Sequence, residues 1–85
     1  MGRRDTTTNQ IMITLYEETA ALEKKAGFYR NKIKILEAVV LKTESADKAT
    51  LFGCYLAQAK SELADVIDTY ATKMLELNEL LEMAQ

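Results

Sequence analysis

The chain has 85 residues, 48% of them hydrophobic, with 13 acidic and 11 basic side chains and a net charge of −2. That balance is typical of a folded, water-soluble protein and gives no general attraction to nucleic acid or to an anionic membrane. Proline is absent and there are only three glycines, so the turns that a β-domain needs are missing. A single cysteine, Cys54, excludes an internal disulfide, and we expect a reducing, cytoplasmic location.

The first part of the chain predicts a polar tail followed by a long helix. Residues 1–9 are polar and unpatterned, have no apolar signal-peptide core, and are expected to be flexible. From residue 10 to residue 42, apolar positions recur at alternating spacings of three and four residues, which indicates an amphipathic helix. We call the stripe of residues at these positions, which is predicted to pack against another helix, the seam. The predicted seam of this helix comprises Met12, Leu15, Thr19, Leu22, Ala26, Tyr29, Ile33, Leu36 and Val40.

A short turn and a second helix complete the predicted fold. Residues 43–46 interrupt the pattern, and Ser45 or Thr43 can cap a helix over residues 47–83. Its predicted seam comprises Ala49, Phe52, Leu56, Ala59, Leu63, Ile67, Tyr70, Met74, Leu77 and Leu81. The spacing slips once, at Ala59, Leu63 and Ile67, which predicts a local unwinding. Two long helices with a short connector predict an all-α, long antiparallel helical hairpin.

Apolar and small residues outside the two seams predict an interface. A hairpin buries one stripe per helix against itself, so a second stripe stays exposed unless another helix covers it. We therefore expect a four-helix bundle, formed by homodimerisation or by docking on a helical protein partner. An internal bend that lets the chain cover itself is the alternative. The candidate interface residues are Ala20, Ala21, Gly27, Phe28, Ile35, Leu51, Tyr55 and Val66, and Leu75 and Leu80 also lie outside the second seam.

A basic and aromatic cluster in the first helix suggests a second type of site. Lys25, Tyr29 and Lys32 fall on one face, an arrangement that can hold a nucleotide or single-stranded nucleic acid. The alternative is that these lysines flank the seam and pair with Glu62, Asp65 and Asp68 of the second helix. An antiparallel hairpin places residues 24–34 opposite about 55–65, which permits such pairs.

The composition argues against catalysis. Without histidine, and with no base beside Cys54, the usual nucleophilic triads cannot form, and neither can the Glu-x-x-His pairs of di-metal bundles. The acidic series in the second helix is interpreted as a solvated face. We predict no catalytic residue, no metal and no cofactor. No apolar run approaches the roughly 20 residues of a membrane-spanning helix.

Two short segments resemble motifs of known families. Residues 61–70 are similar to the second-helix signature of the sporulation-type aspartyl-phosphate phosphatases, but Ala64 replaces an aspartate that this signature requires. The segment Leu51-Phe52-Gly53 resembles the Trp-x-Gly turn of the small helical hairpins of type VII secretion. That resemblance implies a small secreted-type hairpin partner. The tryptophan is missing, however, and Met74 stands where the Tyr-x-x-x-acid signal after Tyr70 needs an acidic residue.

The sequence therefore predicts a non-enzymatic helical interaction module, such as an adaptor, an inhibitor or a small assembly subunit. An anionic-ligand binder and a type VII-like hairpin partner are the alternative functions.

Overall fold

Two helices make up the part of the protein that the computed structural model describes, which is the backbone of residues 2–83 and the side chains of residues 7–83. Helix α1 spans Gly2–Lys42 and helix α2 spans Ala46–Met83. The helices pack against each other as an antiparallel hairpin with extents of 66 × 14 × 14 Å. The expected all-α hairpin is thus confirmed. We call the end of the hairpin away from the connector the open end.

The helix bounds differ from the predicted ones mainly at the first helix. Helix α1 begins at Gly2, whereas the sequence pattern placed its start at residue 10. Residues 3–9 contain neither proline nor glycine, and extending an existing helix requires only one residue to be fixed for each hydrogen bond gained. A hydrophobic pattern cannot detect such a polar extension. The predicted turn is one residue too long, because α2 already begins at Ala46.

The connector of residues 43–45 is closed by short-range hydrogen bonds. The backbone N–H and the hydroxyl of Thr43 both donate to the carbonyl of Val39, at 3.0 and 2.6 Å. At the start of α2, the Ser45 hydroxyl accepts a bond from the Lys48 N–H at 3.5 Å, and the Ser45 carbonyl accepts one from the Ala49 N–H at 2.9 Å. Ser45 therefore has the position and bonding of a helix N-cap, as predicted.

The predicted seam of α1 is confirmed along its whole length. All nine of its positions are buried or half-buried, and Leu15, Thr19 and Ala26 are the most enclosed. Thr19 is only 4% exposed, yet its hydroxyl donates to the Tyr16 carbonyl at 2.8 Å. Burial of this polar side chain therefore leaves no unpaired group.

The predicted seam of α2 is correct as far as Leu63 but wrong at three later positions. Val66 is 7% exposed, whereas Ile67, which was placed in the seam, is 43% exposed. The buried or half-buried positions in the second half of α2 are Val66, Tyr70, Lys73, Leu77 and Leu80, and these continue the alternation of three and four without a slip. The predicted local unwinding is therefore absent.

The hairpin alone leaves an unusually large surface exposed. Its radius of gyration is 19.1 Å, against about 12 Å for a compact domain of this length. Its accessible surface is 6702 Å², about 1,600 Å² more than a compact protein of 9.6 kDa exposes. The seam is thus the only layer of packing in the described part of the chain.

Candidate interaction surfaces

The hairpin has two broad faces, one on each side of the seam. On one face, Lys25 of α1 and Glu62 of α2 line a shared groove. On the other face, Glu23 and Arg30 of α1 line a groove with Ile67 of α2. We call these the lysine face and the isoleucine face.

The isoleucine face carries a third apolar stripe of α2. Ile67, Met74 and Leu81 are seven residues apart, directly beside the seam, and are 43%, 38% and 47% exposed. With this stripe, three of every seven positions in the second half of α2 form an apolar surface, except that Lys73 occupies one of the seam positions. A two-stranded pair needs only two such positions, and the wider stripe is typical of a helix packed in a larger bundle.

Helix α1 adds apolar and small residues to the same face. Tyr16 is 68% exposed and lies seven residues before Glu23, so it projects toward this side. Ile13 is 57% exposed and forms, with Ala20 and Gly27, a row at the outer edge of the face. A Cβ atom added at Gly27 would meet nothing within 4 Å, so packing inside the hairpin does not require a glycine there.

The remaining candidate interface residues lie mostly on the lysine face, toward the connector. Phe28 and Ile35 are 62% and 63% exposed, and they line an apolar groove together with Lys32. Leu51 and Tyr55 of α2 are exposed on the same face, as heptad spacing places them. We call these four apolar residues the connector patch. Ala21 is exposed seven residues before Phe28, at the outer edge of the same face.

Two of the residues predicted to lie outside the seam are part of it. Val66 is almost fully covered by α1, so its assignment to the candidate interface is wrong. Leu80 is half-buried in the same seam, whereas Leu75 is 60% exposed, as expected. The true seam passes through Lys73, and a pattern of apolar residues predicts Met74 at that place instead.

The basic cluster of α1 lies beside an acidic side chain of α2. Hydrogen bonding with the Glu62 carboxylate raises the pKa of Tyr29. The same bond lowers the pKa of Glu62, and the nearby charges of Lys32 and Lys25 lower it further. Lys25, Tyr29 and Lys32 are therefore brought together, as predicted, but around a carboxylate of the protein itself. This geometry favours pairing between the helices over capture of an external anion.

Two further polar pairs join the helices and were not predicted. The Tyr70 hydroxyl donates to Glu23 Oε1 at 2.8 Å, which raises the pKa of Tyr70. The ammonium of Lys73 lies 2.8 Å from Glu18 Oε2, and this contact raises the pKa of Lys73. Both pairs link the seam of α2 to charged residues beside the seam of α1. Polar contacts at such positions select one register over others.

No cluster of three or more metal-ligating side chains occurs among the described residues, and Cys54 is exposed and unpaired with another cysteine. Neither helix contains a segment apolar enough, within the described residues, to cross a bilayer. The Leu51–Gly53 segment lies inside α2 and not in the connector, so it forms no turn.

Comparison with protein-family models, with curated proteins and with solved structures gave no match. A function for the hairpin must therefore be inferred from its surfaces and charges.

Proposed function

We propose that this chain is a non-enzymatic helical interaction module of the cytoplasm, which works by self-association into a four-helix bundle. The observation that supports this proposal most strongly is the stripe of Ile67, Met74 and Leu81 beside the seam. These side chains are too exposed to stabilise a lone hairpin, and their spacing is the one that a bundle core requires.

The size of the exposed surface agrees with this proposal. The hairpin exposes about 1,600 Å² more than a compact chain of its mass, which is about twice the roughly 800 Å² that each partner contributes to a standard protein interface. Pairing two hairpins covers apolar stripes that neither copy can cover alone. Adaptor, inhibitor and assembly-subunit roles all use such a bundle, and a helical protein of a different sequence could replace the second copy.

Sedimentation equilibrium tests self-association directly. The full chain is measured between about 1 and 100 μM, a range that brackets the affinity of ordinary homodimers. We expect a mass of twice 9.6 kDa at the upper concentrations, with helical circular dichroism throughout. A fully helical species of 9.6 kDa at every concentration would contradict self-association.

A further inference from the structure

We infer that the second half of α2 has two alternative positions against α1, related by a rotation of the helix about its own axis, and that the hydrogen bond between Tyr70 and Glu23 holds the position seen in the structure. The rotation moves the stripe of Ile67, Met74 and Leu81 from the isoleucine face into the seam. It therefore controls exposure of the surface on which the proposed self-association rests, although the rotation itself needs no second copy.

The second half of α2 carries two possible seams that differ by one residue. The seam of the structure uses three residues that each directly precede a member of the stripe, namely Val66, Lys73 and Leu80. Three further residues serve both seams, since each lies three or four positions from members of either set, namely Leu63, Tyr70 and Leu77. Exchanging one set for the other requires a rotation of about 50°, which is half of the angle between adjacent residues.

The stripe is the more apolar of the two sets. Rotation replaces Val66 and Lys73 in the seam by the larger hydrophobic side chains of Ile67 and Met74, whose burial is favourable. It carries Lys73 toward the lysine face. Glu18, which lies 2.8 Å from the ammonium of Lys73, is already on that side, so their ion pair does not oppose the rotation.

The groove on the isoleucine face provides space for the movement. Its volume is about 490 Å³, and Ile67 lines it together with Leu22 and Ala26 of the α1 seam. Glu23 and Arg30, which flank that seam, also line it. An Ile67 side chain that turns toward α1 therefore meets Leu22 and Ala26, and the stripe is covered by a segment of its own chain.

The choice is confined to the second half of α2. In its first half, the positions that correspond to Ile67 are Gly53 and Lys60, and the seam there passes through Ala59, which is 1% exposed. Charged residues interrupt both flanks of the α1 seam, namely Glu23, Arg30 and Glu37 on the isoleucine face and Glu18, Lys25 and Lys32 on the lysine face. Local unwinding of α2 between Ala59 and Ile67 takes up the rotation.

The hydrogen bond between Tyr70 and Glu23 opposes the rotation. Tyr70 belongs to both seams, but a turn of about 50° carries the end of a helical side chain through roughly 5 Å, away from the isoleucine face. The bond of 2.8 Å to Glu23 is then broken. Glu62, which is hydrogen-bonded to Tyr29 on the lysine face, turns away from α1 in the same movement and adds to the opposition.

Thiol labelling at two adjacent positions measures the rotation. Val66 is 7% exposed and Ile67 is 43% exposed, so Val66→Cys should react slowly and Ile67→Cys quickly, each in a chain that carries Cys54→Ser. Tyr70→Phe removes the hydroxyl that reaches Glu23 and keeps the ring in the seam. We expect it to raise the rate at position 66 and to lower the rate at position 67, changing their ratio by on the order of tenfold through the loss of one hydrogen bond to a carboxylate.

The direction of the two changes separates rotation from loosening. Rates that rise at both positions would show a loosened hairpin, and unchanged rates would show a single position of α2; either result would overturn the inference. Tyr55→Phe removes an exposed hydroxyl elsewhere on α2 and is the matched control, with an expected change in the ratio of less than about twofold. If circular dichroism shows that Tyr70→Phe is unfolded, Glu23→Gln replaces it, with the same expected result and the same contrary ones.

A charged stripe provides the converse test. Met74→Lys/Leu81→Lys places two ammonium groups at positions that the rotated helix buries, which is unfavourable. In that background, Tyr70→Phe should no longer raise the labelling rate of Val66→Cys. A rise of the same size would overturn the inference, because it could not come from rotation.

Protein concentration separates this inference from the proposed function. Labelling is measured at about 1 and 100 μM, which brackets ordinary dimer affinities. Self-association should protect Ile67→Cys more at the higher concentration, whereas the opposite changes caused by Tyr70→Phe should be present at the lower one. Rates independent of concentration would count against self-association and leave the rotation intact. Absence of the opposite changes at the lower concentration would overturn the rotation and leave self-association intact.

Discussion

Lys73 is a charged residue within the seam of α2, and for that reason a pattern of apolar residues does not predict its position correctly. Its side chain is 28% exposed in the seam, and its ammonium reaches Glu18 at 2.8 Å. A lysine can place its aliphatic stem along an apolar surface while the charge stays at the rim. A pattern of apolar residues cannot represent that behaviour, so it does not predict Lys73 as a seam residue. The polar pairs of Tyr70 and Tyr29 with acidic residues escape such a pattern for the same reason.

The interhelical polar pairs predict a loss of stability at alkaline pH. The pKa values of Tyr29, Tyr70 and Lys73 are all raised in the folded hairpin, by contacts with Glu62, Glu23 and Glu18 respectively. A raised folded pKa favours the protonated form, so the stabilisation is complete below the unfolded values of 10.0 and 10.5 and is lost as the pH rises through the higher folded values.

We therefore expect the urea midpoint of unfolding to fall as the pH rises above about 10. The Tyr70→Phe variant, which cannot ionise at that position, should show a shallower fall over the same range. An identical fall in both proteins would mean that the Glu23–Tyr70 pair contributes nothing to this pH dependence.

Gly27 gives a second prediction at the residue scale. Glycine in a helix interior is less stable than alanine by about 0.5–1 kcal/mol, and a Cβ at Gly27 or at Gly53 meets nothing within 4 Å. In the Ile67→Gln/Met74→Gln background, where association is expected to be lost, Gly27→Ala and Gly53→Ala should each raise the free energy of unfolding by that amount. A decrease for Gly27→Ala would show that the position is crowded inside the hairpin.

At the scale of the helices, the sequence predicts the fold well and the register of one helix only in part. In α1, every predicted seam residue lies in the hairpin core, because no charged residue interrupts its spacing. In α2, the interruption at Lys73 moved the predicted seam by one residue, from Val66 to Ile67. Adjacent residues of a helix point about 100° apart. A shift by one residue therefore assigns exposed flanking residues to the core and buried residues to the surface.

The corrected seam predicts different effects for two leucines of α2. Leu77 is 9% exposed in the seam, and Leu75 is 60% exposed on the outer side of the helix. Leu77→Ala should lower the free energy of unfolding by about 2–3 kcal/mol through lost burial and a residual cavity. Leu75→Ala is the matched control and should change it by less than about 0.5 kcal/mol. Equal losses in urea unfolding would contradict the seam.

At the scale of the whole molecule, the sequence indicates exposed apolar surface but not its division into faces. The predicted interface combined Ala20 and Gly27, which border the isoleucine face, with Phe28 and Ile35, which lie on the lysine face. The predicted seam includes Ile67, Met74 and Leu81, so the sequence pattern does not identify these residues as surface. Only the correct pairing of α1 with α2 places these residues, since it defines which positions flank the seam on each side.

The elongated shape leaves a large part of the hairpin's surface available to a partner. A lone hairpin of this length has one layer of packing and 6702 Å² of accessible surface. In the proposed dimer, a second copy would cover part of that surface, and folding would be coupled to association. Stability should therefore depend on protein concentration.

Thermal unfolding at two protein concentrations tests self-association most directly. Because a dimer binds its second copy only in the folded state, raising the concentration 100-fold should raise the midpoint by about 5–8 °C for a chain of 85 residues. The Ile67→Gln/Met74→Gln variant should show a lower midpoint that changes little with concentration. A wild-type midpoint that is independent of concentration would show that the hairpin folds alone, and would contradict the proposal of a self-associating helical module.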